Sequence, residues 1–283
     1  DSLGHLVKIT QYNSTGNHPE YDFTYDQYGN VNVVTLPENI IHQRMWNRYT
    51  YDSIVHTYPV KVENALGYSS SAEYDYRFGK PTKTIDINNN EIWYEYDNLG
   101  RTVRITAPYE QGNVEPYTIK MEYHPHHYGD TGIFVNAPNP YSFAVTHHYD
   151  RQNPSNPITT TLICDGLGRL LQTKKDAEVN GNEVSLVSGR VVYDCFGRTV
   201  SQYHPFTESN DSVSMSTYSP NYDPATETTT DYDILDRQTK VVLPMRNITT
   251  SYQYDFANIG ADIYFRTTVT DPKGHRVQTL SGT

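Results

Sequence analysis

The histidines are the strongest chemical candidates in this sequence. His124, His126 and His127 stand together in YHPHHY, and His147, His148 and Asp150 follow in HHYD. Imidazoles joined by a carboxylate can ligate zinc. Their arrangement argues against a metal site: neither HExxH nor CxxC accompanies them, the two groups flank an irregular stretch, and adjacent histidines on a strand face opposite ways. These six are the metal candidates, and the expectation is that they hold none. A GxSxG elbow and a Walker sequence are also missing, and the glycines stand singly instead of clustering before a helix. The reading is of a non-enzymatic chain with no catalytic residue and no cofactor.

A second chemical possibility is acid beside base, in Asp97 and Arg101, Asp165 and Arg169, and Asp194 and Arg198. One such pair could serve a reaction, but equivalent copies along a chain have no reaction to share. The pairs are read as structural, flanking a turn.

That turn is a repeat. D-x-x-G occurs at Asp1 to Gly4, Asp26 to Gly29, Asp97 to Gly100, Asp165 to Gly168, Asp194 to Gly197 and Asp271 to Gly274. The next residue is His5, Asn30, Arg101, Arg169, Arg198 or His275, always polar and never acidic. Asp favours the first position of a type I turn, and Gly at the fourth supplies the positive φ that closes a hairpin with a bulge. In the Asp233 to Arg237 copy Asp236 replaces the glycine, and aspartate is one of the few other residues that tolerates a left-handed conformation.

The flanking residues supply the strands. Phe23 and Tyr25, Tyr49 and Tyr51, Tyr94 and Tyr96, and Tyr252 and Tyr254 each alternate with a residue of another kind, placing the pair on one strand face. Val103 and Ile105 alternate on the outgoing side before Pro108, and the runs TVSQYHP and TKVVLP also stop at proline, which cannot donate to a ladder. Asn-rich segments such as DINNN form a second, weaker turn. Spacings agree, since Asp75 to Asp97 and Asp233 to Asp255 each span 22 residues, enough for two short strands and two turns. No helical period appears. The expected fold is all-β, a continuous twisted antiparallel meander over residues 1–283, with an irregular insertion at about 109–160 rich in Pro, Asn and His.

Composition narrows the partners. With 22 basic and 33 acidic residues, a net charge of -11, the field repels nucleic acid and anionic lipid. No apolar run approaches a membrane span. Mean hydropathy is -0.69, yet 26 tyrosines against 8 phenylalanines give much ring area to bury; a polar-tipped ring also suits a sheet with a wet face. Cys164 and Cys195 each adjoin the acid of a repeat, so neighbouring hairpins could bring them together, although two separate thiols are the simpler reading. Asn13, Asn210 and Asn247 match glycosylation acceptors and are read as turn residues. The chain opens at Asp1 with neither methionine nor signal-like segment, which reads as a piece of a longer protein.

Tyr96-Asp97 to Arg101, Tyr193-Asp194 to Arg198 and Tyr232-Asp233 to Arg237 resemble the YD or RHS repeats of bacterial RHS proteins, toxin-complex B components, SpvB-like and wall-associated proteins, and animal teneurins. FAVTHHYDRQ, CDGLGRLLQTKKDAE and SGRVVYDCFGRTVSQYHPF resemble the toxin-complex B and SpvB-like branch most. The resemblance implies a sheet strip spiralled into a hollow shell around a C-terminal effector domain. This chain would be an arc of that wall in a secreted or cell-surface bacterial protein, with the effector and a translocation or capping component as partners. The self-cleaving aspartate motif of the family is missing here, and no protease residue is carried over. The alternative is an adhesin or carbohydrate-binding module, in which Trp46 and Trp93 would stack on sugars.

Overall fold

The computed structural model describes residues 1–14, 16, 18–125, 141–244 and 248–282. The chain divides into two units, Asp1–Met121 and Glu122–Thr283.

The first unit is a run of neighbouring antiparallel strands: β1 Lys8–Thr10, β2 Glu20–Tyr25, β3 Val31–Glu38, β4 Arg44–Tyr51, β5 Pro59–Asn64, β6 Ser69–Asp75, β7 Lys80–Ile85, β8 Glu91–Tyr96 and β9 Thr102–Thr106. β10, Ile119–His124, begins in this unit, where Ile119 and Lys120 pair with Ile105 and Arg104. The alternation read from the sequence sets the register: Tyr94 faces Ile105, Glu95 faces Arg104, and the ladder slips between Glu95 and Tyr96. Slips at Thr24/Tyr25, Ile163/Cys164, Val192/Tyr193 and Asp231/Tyr232 fall at the same place, just before the turn aspartate. A turn closed by a left-handed residue needs that bulge to rejoin the two strands.

The second unit holds β11 Ser142–His148, β12 Ile158–Cys164, β13 Leu170–Val179, β14 Asn182–Val187, β15 Val191–Tyr193, β16 Thr199–Gln202, β17 Phe206–Ser209, β18 Thr228–Tyr232, β19 Gln238–Leu243, β20 Ile248–Ile259, β21 Asp262–Thr270 and β22 Arg276–Gly282. The meander is not continuous here. β17 returns to pair with β14, whereas β15 and β16 open a separate sheet of order β15-β16-β18-β19-β20-β21-β22. The chain leaves β17 through Asn210–Ser219, which contains a short helical turn, α1 Ser212–Ser216, within the nearly all-β fold that was expected. Residues 109–160, read as irregular, contribute strands β10 and β11 and the start of β12.

Burial is uneven. In the second unit Ile163 and Val187 are fully buried and Met215 nearly so, together with polar Thr161, Gln172, Lys174 and Ser185. Gln172 acts as a peg, donating to the Ser219 carbonyl (3.1 Å) and accepting from the Ser219 amide (2.9 Å), which fixes the returning segment against the sheet. Lys174 Nζ pairs with Glu208 and donates to the Ser214 carbonyl at 2.6 Å. The first unit buries little apolar side chain; its enclosed residues are Asp52, Thr106, Glu110 and Tyr117. A sheet with so small a core must draw its stability from ladders and from the joints between successive hairpins.

Candidate functional site

Those joints begin at the turn carboxylates. Asp97 Oδ1 accepts from the amides of Leu99 and Arg101 (both 2.9 Å), while Oδ2 accepts from Arg101 Nε at 2.6 Å. Asp165 with Arg169, Asp194 with Arg198, and Asp233 with Arg237 repeat the arrangement. Asp26 with Asn30 and Asp271 with His275 use an amide or imidazole in place of the guanidinium. Partial burial pushes the carboxyls of Asp97, Asp165 and Asp194 upward, and the amide and guanidinium donors outweigh it, so each stays below the ordinary aspartate value. Gly100 has φ +75 and Asp236 has φ +62, the left-handed geometry expected of that position. The acid–base pairs are therefore consumed by their own turns. YD aspartates inside strands open no turn and pair across the sheet instead: Asp22 in β2 pairs with Arg44, and Asp255 pairs bidentately with Arg266 across β20 and β21 (2.7 and 2.8 Å).

Where a tyrosine precedes the aspartate, as in the seven pairs that follow, it joins its hairpin to the one before. Tyr25 donates to Leu6 O, Tyr51 to Val31 O, Tyr74 to Pro59 O, Tyr96 to Pro81 O, Tyr193 to Leu170 O, Tyr232 to Thr199 O and Tyr254 to Gln238 O, at 2.6–3.2 Å. The accepting residue always directly follows the residue that closes the preceding turn. That closing residue lies against the same ring: His5 stacks on Tyr25, Tyr58 on Tyr74, Lys80 on Tyr96, Arg169 on Tyr193, Arg198 on Tyr232 and Arg237 on Tyr254. In three cases it also donates to backbone of the next turn: Asn30 to His56 O (2.6 Å), Lys80 to Gly100 O (2.7 Å) and Arg198 to Asp233 O (3.0 Å). A π face and a carbonyl both call for a donor or cation, which is why the position after the glycine is polar and never acidic. The abundance of tyrosine has the same explanation, since phenylalanine lacks the hydroxyl that makes the joint.

Sequence reasoning located the turns and missed these joints, because the partner of each hydroxyl lies in the previous unit. The interval from a closing residue to the next Tyr-Asp varies, from 16 residues between Lys80 and Tyr96 to 34 between Arg198 and Tyr232, so spacing gave no signal for the joint. Asp52, in a longer turn outside the D-x-x-G pattern, was also missed. Its Oδ1 accepts from the amides of Ile54, Val55 and His56 and its Oδ2 from Thr57 and Tyr58. Burial pushes this carboxyl up, and the amides of Tyr58, Val55, Thr57 and Ile54 overcome it, holding the group far below the usual range.

The histidine candidates separate. His126 and His127 lie outside the described residues, as does Asn247. His148 is exposed, and Asp150 accepts from the Gln152 amide at 2.9 Å in a turn. His124 and His147 meet across Glu122, their Nε2 atoms 3.6 and 3.7 Å from its two oxygens, while His124 stacks on Phe143 at 4.4 Å. His147 Nδ1 lies 3.1 Å from Thr159 Oγ1. Among the described residues no group of three or more His, Cys, Asp or Glu is placed to hold a metal. Both cysteines are free, Cys164 half-buried and Cys195 exposed; burial raises the Cys164 thiol above its usual value. Trp46 carries the Arg48 guanidinium over its ring at 4.7 Å, and Trp93 donates to Glu91 at 3.2 Å. No helix among the described residues is long and apolar enough to cross a membrane.

His124 and His147 share a cleft of about 550 Å³ in the second unit, which Phe143, Thr161, Asp176 and Met215 also line. Its floor is one face of β11, β12 and β13, and α1 with the residues before it forms one wall.

A family model described as a domain of unknown function, DUF6443, matches residues 141–228, the stretch that contributes most of this cleft and the β14–β17 return. No curated protein matches the chain. Among solved structures, TcdB2-TccC3 superposes with a TM-score of 0.65 at 18% identity, covering 96% of this chain and 16% of that one. TcdB2-TccC3 without its hypervariable C-terminal region gives 0.61 at 17% identity, with 99% and 20% covered. The Photorhabdus luminescens Tc holotoxin pore gives 0.64 at 16% identity, with 97% and 18% covered. The chain thus spans a fifth or less of these proteins, and its described residues have the antiparallel β fold that they have in this part of theirs.

Proposed function

We propose that the chain is a wall segment of an RHS-type shell in a secreted bacterial toxin-complex protein, a non-enzymatic structure that encloses and helps deliver an effector borne by the same parent chain. The observation that carries this reading is the joint between hairpins. The same turn carboxylate, closing residue and tyrosine recur along both units and tie hairpins to their predecessors, a construction suited to extending a sheet rather than to reacting with a substrate. The likeness in fold to TcdB2-TccC3, which extends over 96% of the chain, supports the toxin-complex assignment and with it a capping or translocating partner.

The test is limited proteolysis of the complete parent protein beside its isolated C-terminal region. Enclosure requires the C-terminal region to survive in the parent under conditions that digest it alone. Equal rates of cleavage would remove the shell reading.

A further inference from the structure

The cleft of the second unit has a chemistry that wall-building does not use. Phe143 and Val145 on its floor and the nearly buried Met215 in its wall give it an apolar and aromatic surface, and three carboxylates, Glu122, Asp176 and Asp211, face it with no Lys or Arg among the lining residues. The adjacent Lys174 is committed to Glu208 and the Ser214 carbonyl. Asp211 is engaged by Ser209 and Ser214, and Glu122 by the two histidines. Asp176 is different: one oxygen takes the Thr159 amide, and the other has no partner among the described residues.

A second, independent feature points the same way. Thr161 is fully buried, lines the cleft, and its Oγ1 has no hydrogen-bond partner among the described residues. Leaving a buried hydroxyl unsatisfied is costly, and a strand position flanked by Ile163 would accept valine at no loss of shape. A hydroxyl kept there has a use when a ligand supplies its partner.

The geometry points to a binding site for an organic cation, an amine or guanidinium carried on an apolar or aromatic body. The charged end would meet the open oxygen of Asp176 and the Thr161 hydroxyl, which accepts from it, while the body lies against Phe143 and Met215. Without a Lys or Arg lining it, and with three carboxylates facing it, the cleft disfavours anions. The inference is independent of the shell proposal, since it concerns one cleft and not the wall.

Isothermal titration of the complete protein with phenethylamine, against 2-phenylethanol, 3-phenylpropionate and glucose, tests it. A capped Phe-Arg dipeptide amide distinguishes a free amine from a basic side chain of a polypeptide as the source. Saturable binding of phenethylamine or the dipeptide, at least about tenfold tighter than 2-phenylethanol, is expected, as a charge-assisted hydrogen bond implies. Asp176→Asn should abolish that preference. Thr161→Val should weaken amine binding about fivefold while leaving the melting temperature unchanged or higher, which separates a ligand-binding hydroxyl from a structural one. Equal binding of amine and alcohol, preference for glucose, no saturation with either cation, or a Thr161→Val variant that binds as tightly as the parent would each overturn the assignment.

Discussion

The guanidinium of Arg237 lies 4.3 Å from the ring centroid of Tyr254, one hairpin further along the chain. The Tyr254 hydroxyl in turn donates to the carbonyl of Gln238, the residue after that arginine, at 2.9 Å. Ring, cation and carbonyl form a closed contact between units. Removing the cation with Arg237→Ala and the ring with Tyr254→Leu should therefore be non-additive. A double-mutant cycle in urea should return a coupling of about 0.5–1 kcal/mol, the range for a part-exposed cation–π contact; a coupling of zero would mean the two residues are merely neighbours.

The hydroxyl contribution can be isolated at Tyr96, whose bond to Pro81 O is 2.6 Å. Tyr96→Phe should cost about 1 kcal/mol, the net worth of one intramolecular hydrogen bond, with the ring and the strand unchanged. Tyr94, whose hydroxyl is 3.5 Å from Thr84 Oγ1, is the control and should lose less on the same substitution. Equal losses, read from urea midpoints, would count against the joint.

Asp52 predicts a pH dependence. Its folded carboxyl is held below the ordinary aspartate value of 3.8 by five amide donors. A depressed folded pKa stabilises the protein fully above the unfolded value, and the stabilisation is lost as pH falls below it toward the folded value. Asp52→Asn presents an amide nitrogen to donors that need an oxygen. The variant should be less stable than the parent at pH 7, and the gap should narrow as urea midpoints are followed down from pH 5. A constant gap would show that the charge is not what the loop requires.

Gly189 has φ +88, and a Cβ there would lie 2.3 Å from Tyr203 O and 2.7 Å from His204 O. Backbone cannot step aside as a flexible side chain can, so Gly189→Ala combines left-handed strain with a steric clash. A loss of at least about 2 kcal/mol is expected. The calorimetric comparison is with Gly181→Ala, which has a similar φ of +80 and open space around it.

Glu208 neutralises Lys174, which is 1% exposed. Glu208→Ala leaves a buried ammonium with only the Ser214 carbonyl and should cost about 3 kcal/mol, whereas Lys174→Met with Glu208→Leu should recover much of that loss. A double variant no better than the single one would contradict this account of the pair.

The hairpins were legible because their determinants are local. Asp97 and Gly100 are three residues apart and fix a turn whatever surrounds them, and the substitution of Asp236 for glycine followed the same rule. The joints were less legible because the carbonyl that receives Tyr96 belongs to Pro81, and a strand register must be known before the two can be matched. The β14–β17 return was illegible for another reason. Nothing in the composition of Phe206–Ser209 marks it for β14 over β16; the choice depends on pegs such as Gln172 with Ser219, which are distant in sequence. The same distance hid the cleft, although two of its histidines, His124 and His147, had been singled out.

A closing residue can reach forward to the turn that follows, as Arg198 does to Tyr232 and Asp233. Length is then a free variable of the chain. A block cut between two equivalent positions, such as Arg198 and Arg237, carries a complete acceptor at one end and a complete donor at the other, so copying or deleting it leaves the severed ends complementary. Such a protein can grow or shrink by whole units through gene duplication, without any compensating change elsewhere in the sheet.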